Sequence, residues 1–278
     1  MTDVAAYLRR IGLAGFHAEH NRNDAAALAT LHRAHLETVP YENLDIQLRR
    51  PISLRPTDIL DKIVRRRRGG YCYELNGGFA LLLRDLGFRV RIIEAAIQRA
   101  TLGERAWGNH MALLVEADGQ QWLADVGLGD GFLAPLPLRE GIHIQGPFPF
   151  GLSEQNGVWR MAHHPGGAVD SFEFRLTPRS LSHFTAHHIR LSTSPDSPFT
   201  RLLIAQRPGE DYTLTLHGLT LTLHAAGGAQ YIRTLRHEAE FTEVLADEFN
   251  VALEDVGAEG LHQLWRQACE QHLLWTAA

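Results

Sequence analysis

The chain has 278 residues, an apolar fraction of 45%, a charged fraction of 21% and a formal net charge of -5. It therefore reads as a globular protein with a large core and room for two or three subdomains. The charge balance provides no basic stripe for nucleic acid, no apolar run approaches the roughly eighteen residues of a membrane span, and MTDVAAYLRR lacks the basic-then-apolar order of a signal peptide. Two widely separated cysteines, Cys72 and Cys269, are neither a disulfide framework nor a thiolate zinc site, so a reducing cytoplasm is the expected home of a free, working thiol.

The first third reads as helical. Asp3 is placed to cap a helix over Val4 to Ile11, with Gly12 ending it, and Asp24 to cap a second carrying Ala27, Leu28, Leu31, His32 and His35 until Pro40 interrupts. A third helix is expected from about Thr57 to Gly69, and a fourth from Cys72, with an apolar face of Leu75, Phe79, Leu82, Leu83 and Leu86 and a cap at Gly87. The period then changes to that of strands at Arg89 to Glu94, Met111 to Ala117 and Gln121 to Val126, the last two joined by the hairpin signal Asp118-Gly119. Gly141 to Gly151 is expected to be an ordered loop, Ser171 to Leu176 and Tyr212 to His224 to be strand-like, and Phe241 to Phe249 and Gly260 to Leu274 to be helical. The fold class is α+β: a helical front, a β middle and a mixed tail.

One segment carries chemistry. In RGGYCYELNGG, Arg68 to Gly78, two glycines end a basic helix and Cys72 opens an apolar one. A helix N-terminus stabilises a thiolate and makes it nucleophilic. If Asp118-Gly119 is a two-residue turn, Ala117 faces Gln120, Ala112 faces Asp125 and His110 faces Gly127. His110 and Asp125 then project from one face as diagonal neighbours about 7–8 Å apart at the backbone. Cysteine, histidine and aspartate supply a nucleophile, a base and an orienter, although the approach of Cys72 to His110 is tertiary and local sequence does not dictate it.

RGGYCYELN at Arg68 to Asn76, NHMALLV at Asn109 to Val115 and WLADVGLGDG at Trp122 to Gly131 resemble the arylamine N-acetyltransferase family of bacterial type, as do Leu31 to Ile46 and Ser192 to Leu203. The resemblance spans most of the chain. It implies a helical bundle over 1–87, a central β-barrel over 88–195 and an α/β lid over 196–278, around a core related to cysteine proteases. It also implies acetyl-CoA as co-substrate without a metal, an amine acceptor, ping-pong transfer through Cys72, His110 and Asp125, and a role in xenobiotic metabolism. By the same resemblance, Arg68 makes a buried ion pair with Glu42 that braces the cysteine loop, and Leu128 stands where the family often has phenylalanine, beside the acceptor. Asn76 and Glu74 either support the site or serve as core and capping residues. Gly127, Gly129 and Gly131 either admit the coenzyme's pyrophosphate to the backbone or form a loop that needs positive φ; the resemblance favours the coenzyme.

Other signals read blandly. Arg65 to Arg68 is a solvated helix end complementing the dipole, Arg68 apart. His163-His164 and His187-His188 lack metal-ligand company, and Cys269 reads as a small buried core residue. Three competing functions share the triad or the fold: an amide synthase of natural-product assembly, a papain- or transglutaminase-like cysteine hydrolase, and a non-catalytic binding module.

Overall fold

Asp3 accepts the Ala6 N–H at 2.9 Å and opens α1 (Val4–Arg10); Asp24 accepts the Ala27 N–H at 2.7 Å and opens α2 (Ala25–Thr38). The structure is a computed structural model that describes residues 3–16, 24–164, 167–225 and 228–276. After Pro40 come β1 (Tyr41–Glu42) and the short α3 (Leu44–Gln47). The helix expected over Thr57 to Gly69 is shorter: α4 (Pro56–Leu60) passes into a π-helical turn, Asp61–Arg65, and stops. Arg67 takes a left-handed backbone (φ 53°), and the Arg68 N–H turns back to the Lys62 carbonyl at 3.0 Å, which aims Arg68 inward. Then α5 (Cys72–Asp85) runs with Leu75, Phe79, Leu82 and Leu83 buried. Gly87 (φ 92°) closes it, with the Phe88 N–H on the Leu83 carbonyl and the Gly87 N–H on the Arg84 carbonyl; this is the paired bonding of a Schellman end, for which glycine is the favoured residue.

The middle of the chain forms β2 (Arg89–Ile97), the single turn α6 (Arg99–Leu102), β3 (His110–Ala117), β4 (Gln120–Ala124), β5 (Leu136–Pro137), β6 (Gly141–Gln145), β7 (Phe148–Gln155), β8 (Val158–Ala162) and β9 (Ser171–Arg179). They make one eight-stranded antiparallel sheet in the order β5-β4-β3-β2-β9-β8-β7-β6, nearly closed and barrel-like. Strand β3 is buried on both faces: Met111, Leu113 and Val115 pack with α5, while Ala112 and Leu114 join Phe150, Phe172 and Phe174 on the other side. Gly141 to Gly151 is not a loop but most of the β6–β7 hairpin, turning at Gly146 (φ 55°). Its prolines disguised it. Pro149 pairs with Ile144, and the β7–β8 ladder begins only at Gly151, so the missing proline N–H lies where β7 has one neighbour.

The tail comprises α7 (Thr185–Thr193), α8 (Pro198–Arg201), β10 (Ile204–Pro208), β11 (Tyr212–His217), β12 (Thr220–Ala225), β13 (Gln230–Thr234), α9 (Glu238–Glu243) with a π-helical extension Val244–Glu248, and α10 (Gly257–Thr276). Tyr212 to His224 is a hairpin rather than one strand, with Gly218 (φ 57°) at its turn. A second antiparallel sheet runs β1-β10-β11-β12-β13, so the strand after α2 begins the sheet that the tail completes. Leu44 shares a core with Leu216, Phe241, Phe249 and Leu264. Cys269 is only partly buried, against the sequence expectation. No described helix is long and apolar enough to cross a membrane.

Buried charge ties front to tail. Arg68, with no exposed surface, donates to Glu42 at 2.8 Å and reaches Asp45 at 3.4 Å and Asp255 at 3.3 Å. Lys62 bridges Asp45 at 2.9 Å and Glu74 at 2.8 Å, while Arg66 pairs with Asp255. Burial alone would raise Asp45, but Lys62, Arg68 and Arg66 hold its carboxyl down at about 2. Of the basic run, Arg65 and Arg67 are the exposed members. Removing one partner from such a network leaves a buried charge uncompensated, so Arg68→Met should cost about 3–5 kcal/mol of stability, read from the urea midpoint; an unchanged midpoint would show that the cluster is solvated in solution.

Candidate active site

Cys72 is the first residue of α5 and is 3% exposed. Its neighbours on either side hold it in place. The Tyr71 hydroxyl bonds His188 Nδ1, whose Nε2 donates to the Ile52 carbonyl at 3.0 Å, and the Tyr73 hydroxyl donates to the Gly108 carbonyl at 2.7 Å. The Glu74 carboxylate accepts the Tyr71 N–H at 3.3 Å and the Lys62 ammonium at 2.8 Å, giving it capping and bracing contacts at once. His110 opens β3, lies close enough to the Cys72 side chain for the two to interact electrostatically, and donates from Nε2 to Asp125 Oδ2 at 2.6 Å. The structure therefore brings Cys72, His110 and Asp125 together in a water-poor site.

The hairpin that carries two of them turns at Asp118 (φ 51°) and Gly119 (φ 70°), the signature of a type I′ turn. Ala117 faces Gln120 as the sequence predicts, and the ladder continues to Leu113 opposite Ala124. It stops there, so the expected pairings of Ala112 with Asp125 and His110 with Gly127 are not part of it. The Asp125 N–H leaves the ladder for His32 Nε2 on α2 at 3.1 Å. His110 and Asp125 meet because the chain is pulled away at that point, and their side chains still lie on the same side.

Asp125 is wholly buried, and each part of it has a partner. Oδ1 accepts the Asn76 amide at 2.8 Å and the Gly127 N–H at 2.9 Å, and Oδ2 takes His110. Asn76 also donates to the Met111 carbonyl at 2.6 Å and accepts the Val126 N–H at 3.0 Å, so it locks β3 to the loop after β4. His32 accepts the Asp125 N–H and donates from Nδ1 to the Leu133 carbonyl at 3.0 Å. One imidazole thus brackets the whole 125–133 loop. Burial, outweighing its hydrogen bonds and the Asp125 field, pushes its pKa down to about 4, which suits a ring that must accept at one nitrogen. In the sequence His32 reads as one of the helically spaced positions of the α2 stripe. The signal available was a histidine on an apolar face, which must find partners when buried.

Gly127, Gly129 and Gly131 have no positive φ, which removes one of their two sequence-based readings. For Gly127 and Gly129 the reason is close approach: a Cβ on Gly127 would lie 2.7 Å from Cys72 Cα and 2.6 Å from the Asn76 amide, and one on Gly129 would lie 2.5 Å from the Gln206 amide oxygen. Leu128 is buried with Phe132, Phe150 and Phe172 in the core inside the eight-stranded sheet. His187 faces Gly108 while His188 meets Tyr71. Among the described residues no three His, Cys, Asp or Glu side chains converge as metal ligands would.

A family model described as N-acetyltransferase matches residues 24–257 of this chain. The arylamine N-acetyltransferase / N-hydroxyarylamine O-acetyltransferase of Salmonella typhimurium is 33% identical over 235 residues, 83% of each chain. The chain belongs to the arylamine N-acetyltransferase family. It is therefore an acyltransferase. The solved structure of the Salmonella typhimurium arylamine N-acetyltransferase superposes with a TM-score of 0.85 at 29% identity, covering 97% of this chain and 99% of that one. The Mycobacterium marinum arylamine N-acetyltransferase solved in complex with CoA superposes with a TM-score of 0.84 at 28% identity, covering 96% and 98%.

Two measurements follow from this family member's site. Burial alone would lower the His110 pKa, but the Asp125 charge and hydrogen bond, helped by Cys72, push it up to about 10. A folded pKa raised above the unfolded value of about 6.5 stabilises the fold fully below that value. The stabilisation is lost as pH rises through 10. Asp125→Asn should flatten the fall in urea midpoint between pH 6.5 and 10; a fall of wild-type steepness would refute the assignment. His32→Phe keeps the ring packing but strands the Asp125 N–H and the Leu133 carbonyl. It should cost about 1–3 kcal/mol and slow iodoacetamide alkylation of Cys72 at pH 7, and wild-type alkylation would mean that the loop holds without it.

Proposed function

We propose that the protein is an acetyl-CoA-dependent arylamine N-acetyltransferase that moves the acetyl group through a Cys72 thioester by a ping-pong route. The observation carrying this is the 2.6 Å His110–Asp125 hydrogen bond with Cys72 on the imidazole at a helix N-terminus. The Cys72 thiolate attacks the thioester carbonyl carbon, forming the Sγ–acetyl bond as the carbon–sulfur bond to CoA breaks. His110, held protonated by Asp125, gives its proton to the departing thiolate. The amine nitrogen of an arylamine or arylhydrazine then attacks the Cys72-bound carbonyl, the carbon–Sγ bond breaks, and the amine proton passes to His110, restoring the ion pair. N–H groups at the start of α5, which have no partner one turn earlier in the helix, are assigned to stabilise the oxyanion.

Acetyl-CoA supplies an activated acyl group, so the chain need only position and deprotonate. The fit is sterically reasonable: the loop carrying Gly127, Gly129 and Gly131 lies directly on Cys72, so a thioester reaching Sγ passes that backbone, and these three residues are assigned to the coenzyme. Arg68, Glu42 and Asn76 are assigned to support, and Leu128 to the wall behind the acceptor. The reading includes a three-part layout, 1–87, 88–195 and 196–278, around a core like that of cysteine proteases.

Cys72→Ala should abolish the acetyl adduct seen by intact mass after acetyl-CoA is added, with loss of arylamine acetylation to background. Full activity in that variant would sink the mechanism, and continued CoA release beyond the single equivalent of the first half-reaction, with no amine present, would favour hydrolysis.

A further inference from the structure

The Gly127–Gly131 loop borders an open groove of ≈ 560 Å³ whose far wall is the second sheet, with Gln206, Thr215, His217 and Thr222 facing in and Asp130 at its edge. Asp130 is 4% exposed. Its Oδ2 accepts the Ala168 N–H and its carbonyl accepts His163 Nε2 at 3.0 Å. Its Oδ1 has no hydrogen-bond partner among the described residues: His163 Nε2 is 3.7 Å away and already donates to that carbonyl. A buried carboxylate oxygen without a donor calls for one from outside the chain.

The rest of the lining says what that donor is. No lysine or arginine lines the groove. Burial lowers the His217 pKa despite the Asp130 charge, which keeps that imidazole neutral near pH 7. The charge on offer is therefore one carboxylate among hydroxyls, an amide and imidazoles. Such a lining disfavours a polyphosphate and favours a cation. Gly127 lies against Cys72 and Asp130 is three residues further on, at most about 10 Å along the chain, a span matched by an aryl ring with a short arm.

We infer that this groove is an acceptor subsite, resting on the proposed acetyl transfer, and that Asp130 selects arylamines bearing a second, positively charged group. The Asp130 carboxylate holds the remote cation while the aryl amine reaches the acetylated Cys72.

The test separates the two half-reactions. Formation of acetyl-enzyme from acetyl-CoA is followed by intact mass, and transfer is followed with three anilines carrying a para dimethylammoniomethyl, hydroxymethyl or carboxymethyl group. Wild type should prefer the cationic over the anionic acceptor by about ten- to a hundredfold in kcat/KM, the range of one charge-assisted hydrogen bond. Asp130→Asn, nearly isosteric, should erase most of that ratio through the transfer step. Wild type that transfers acetyl without charge preference overturns the subsite, and this arm stands even where the variant fails to fold. An Asp130→Asn enzyme slowed in acetyl-enzyme formation but keeping the acceptor order also overturns it, by giving the groove to the donor. Failure to form acetyl-enzyme at all would instead overturn the acetyltransferase reading.

Discussion

An aspartate sealed from water must have its carboxylate and its backbone N–H satisfied entirely by protein. Asp125 meets that demand with groups from α5, β3 and its own loop on the carboxylate and from α2 on the N–H. His32, Asn76, His110 and the Gly127 N–H all converge on it. Each partner is tied elsewhere: Asn76 to Met111 and Val126, His32 to Leu133, His110 to Cys72. Cys72 therefore faces an imidazole held by a fully occupied aspartate, and little freedom remains for that ring to turn. A network of this kind is rigid because breaking any one bond exposes a buried polar group with no alternative partner.

The second constraint is electrostatic. Lys62, Arg66 and Arg68 face Glu42, Asp45, Glu74 and Asp255 in a cluster just before the cysteine. Buried ion pairs contribute little net stability compared with apolar packing, but they enforce one arrangement. Here the arrangement joins the turn after α4, the start of α5 and the approach to α10. The geometry around Cys72 thus depends on the tail of the chain being docked. Asp118 does similar work at the opposite end, where its carboxylate accepts the Ala25 N–H at 3.0 Å and fixes the start of the helix that carries His32.

Much of this was legible in the sequence because the signals are local. The caps at Asp3, Asp24 and Gly87, the apolar stripe of α5 and the Asp118-Gly119 turn each follow from short-range chemistry, and the structure has each of them. The contacts read less well are those made at a distance. The departure of Asp125 from the ladder is set by a histidine 93 residues earlier, which strand parity cannot see. The glycines after Asp125 read as either sterically or torsionally special, and only the positions of Cys72 and Gln206 show that for Gly127 and Gly129 the reason is steric. The β6–β7 hairpin was hidden because two prolines usually argue against a strand; the exception depends on which neighbour Pro149 lacks.

Lys62 is the sole lysine in the sequence and has 5% of its surface exposed, its ammonium held between Asp45 and Glu74. Every other cationic side chain of permanent charge is an arginine, whose guanidinium is a poor nucleophile. For a protein whose family handles activated acyl groups, this means that the surface presents no ε-amine for a stray thioester to acylate. The chain's single ε-amine is kept out of reach of the reagents that the family turns over.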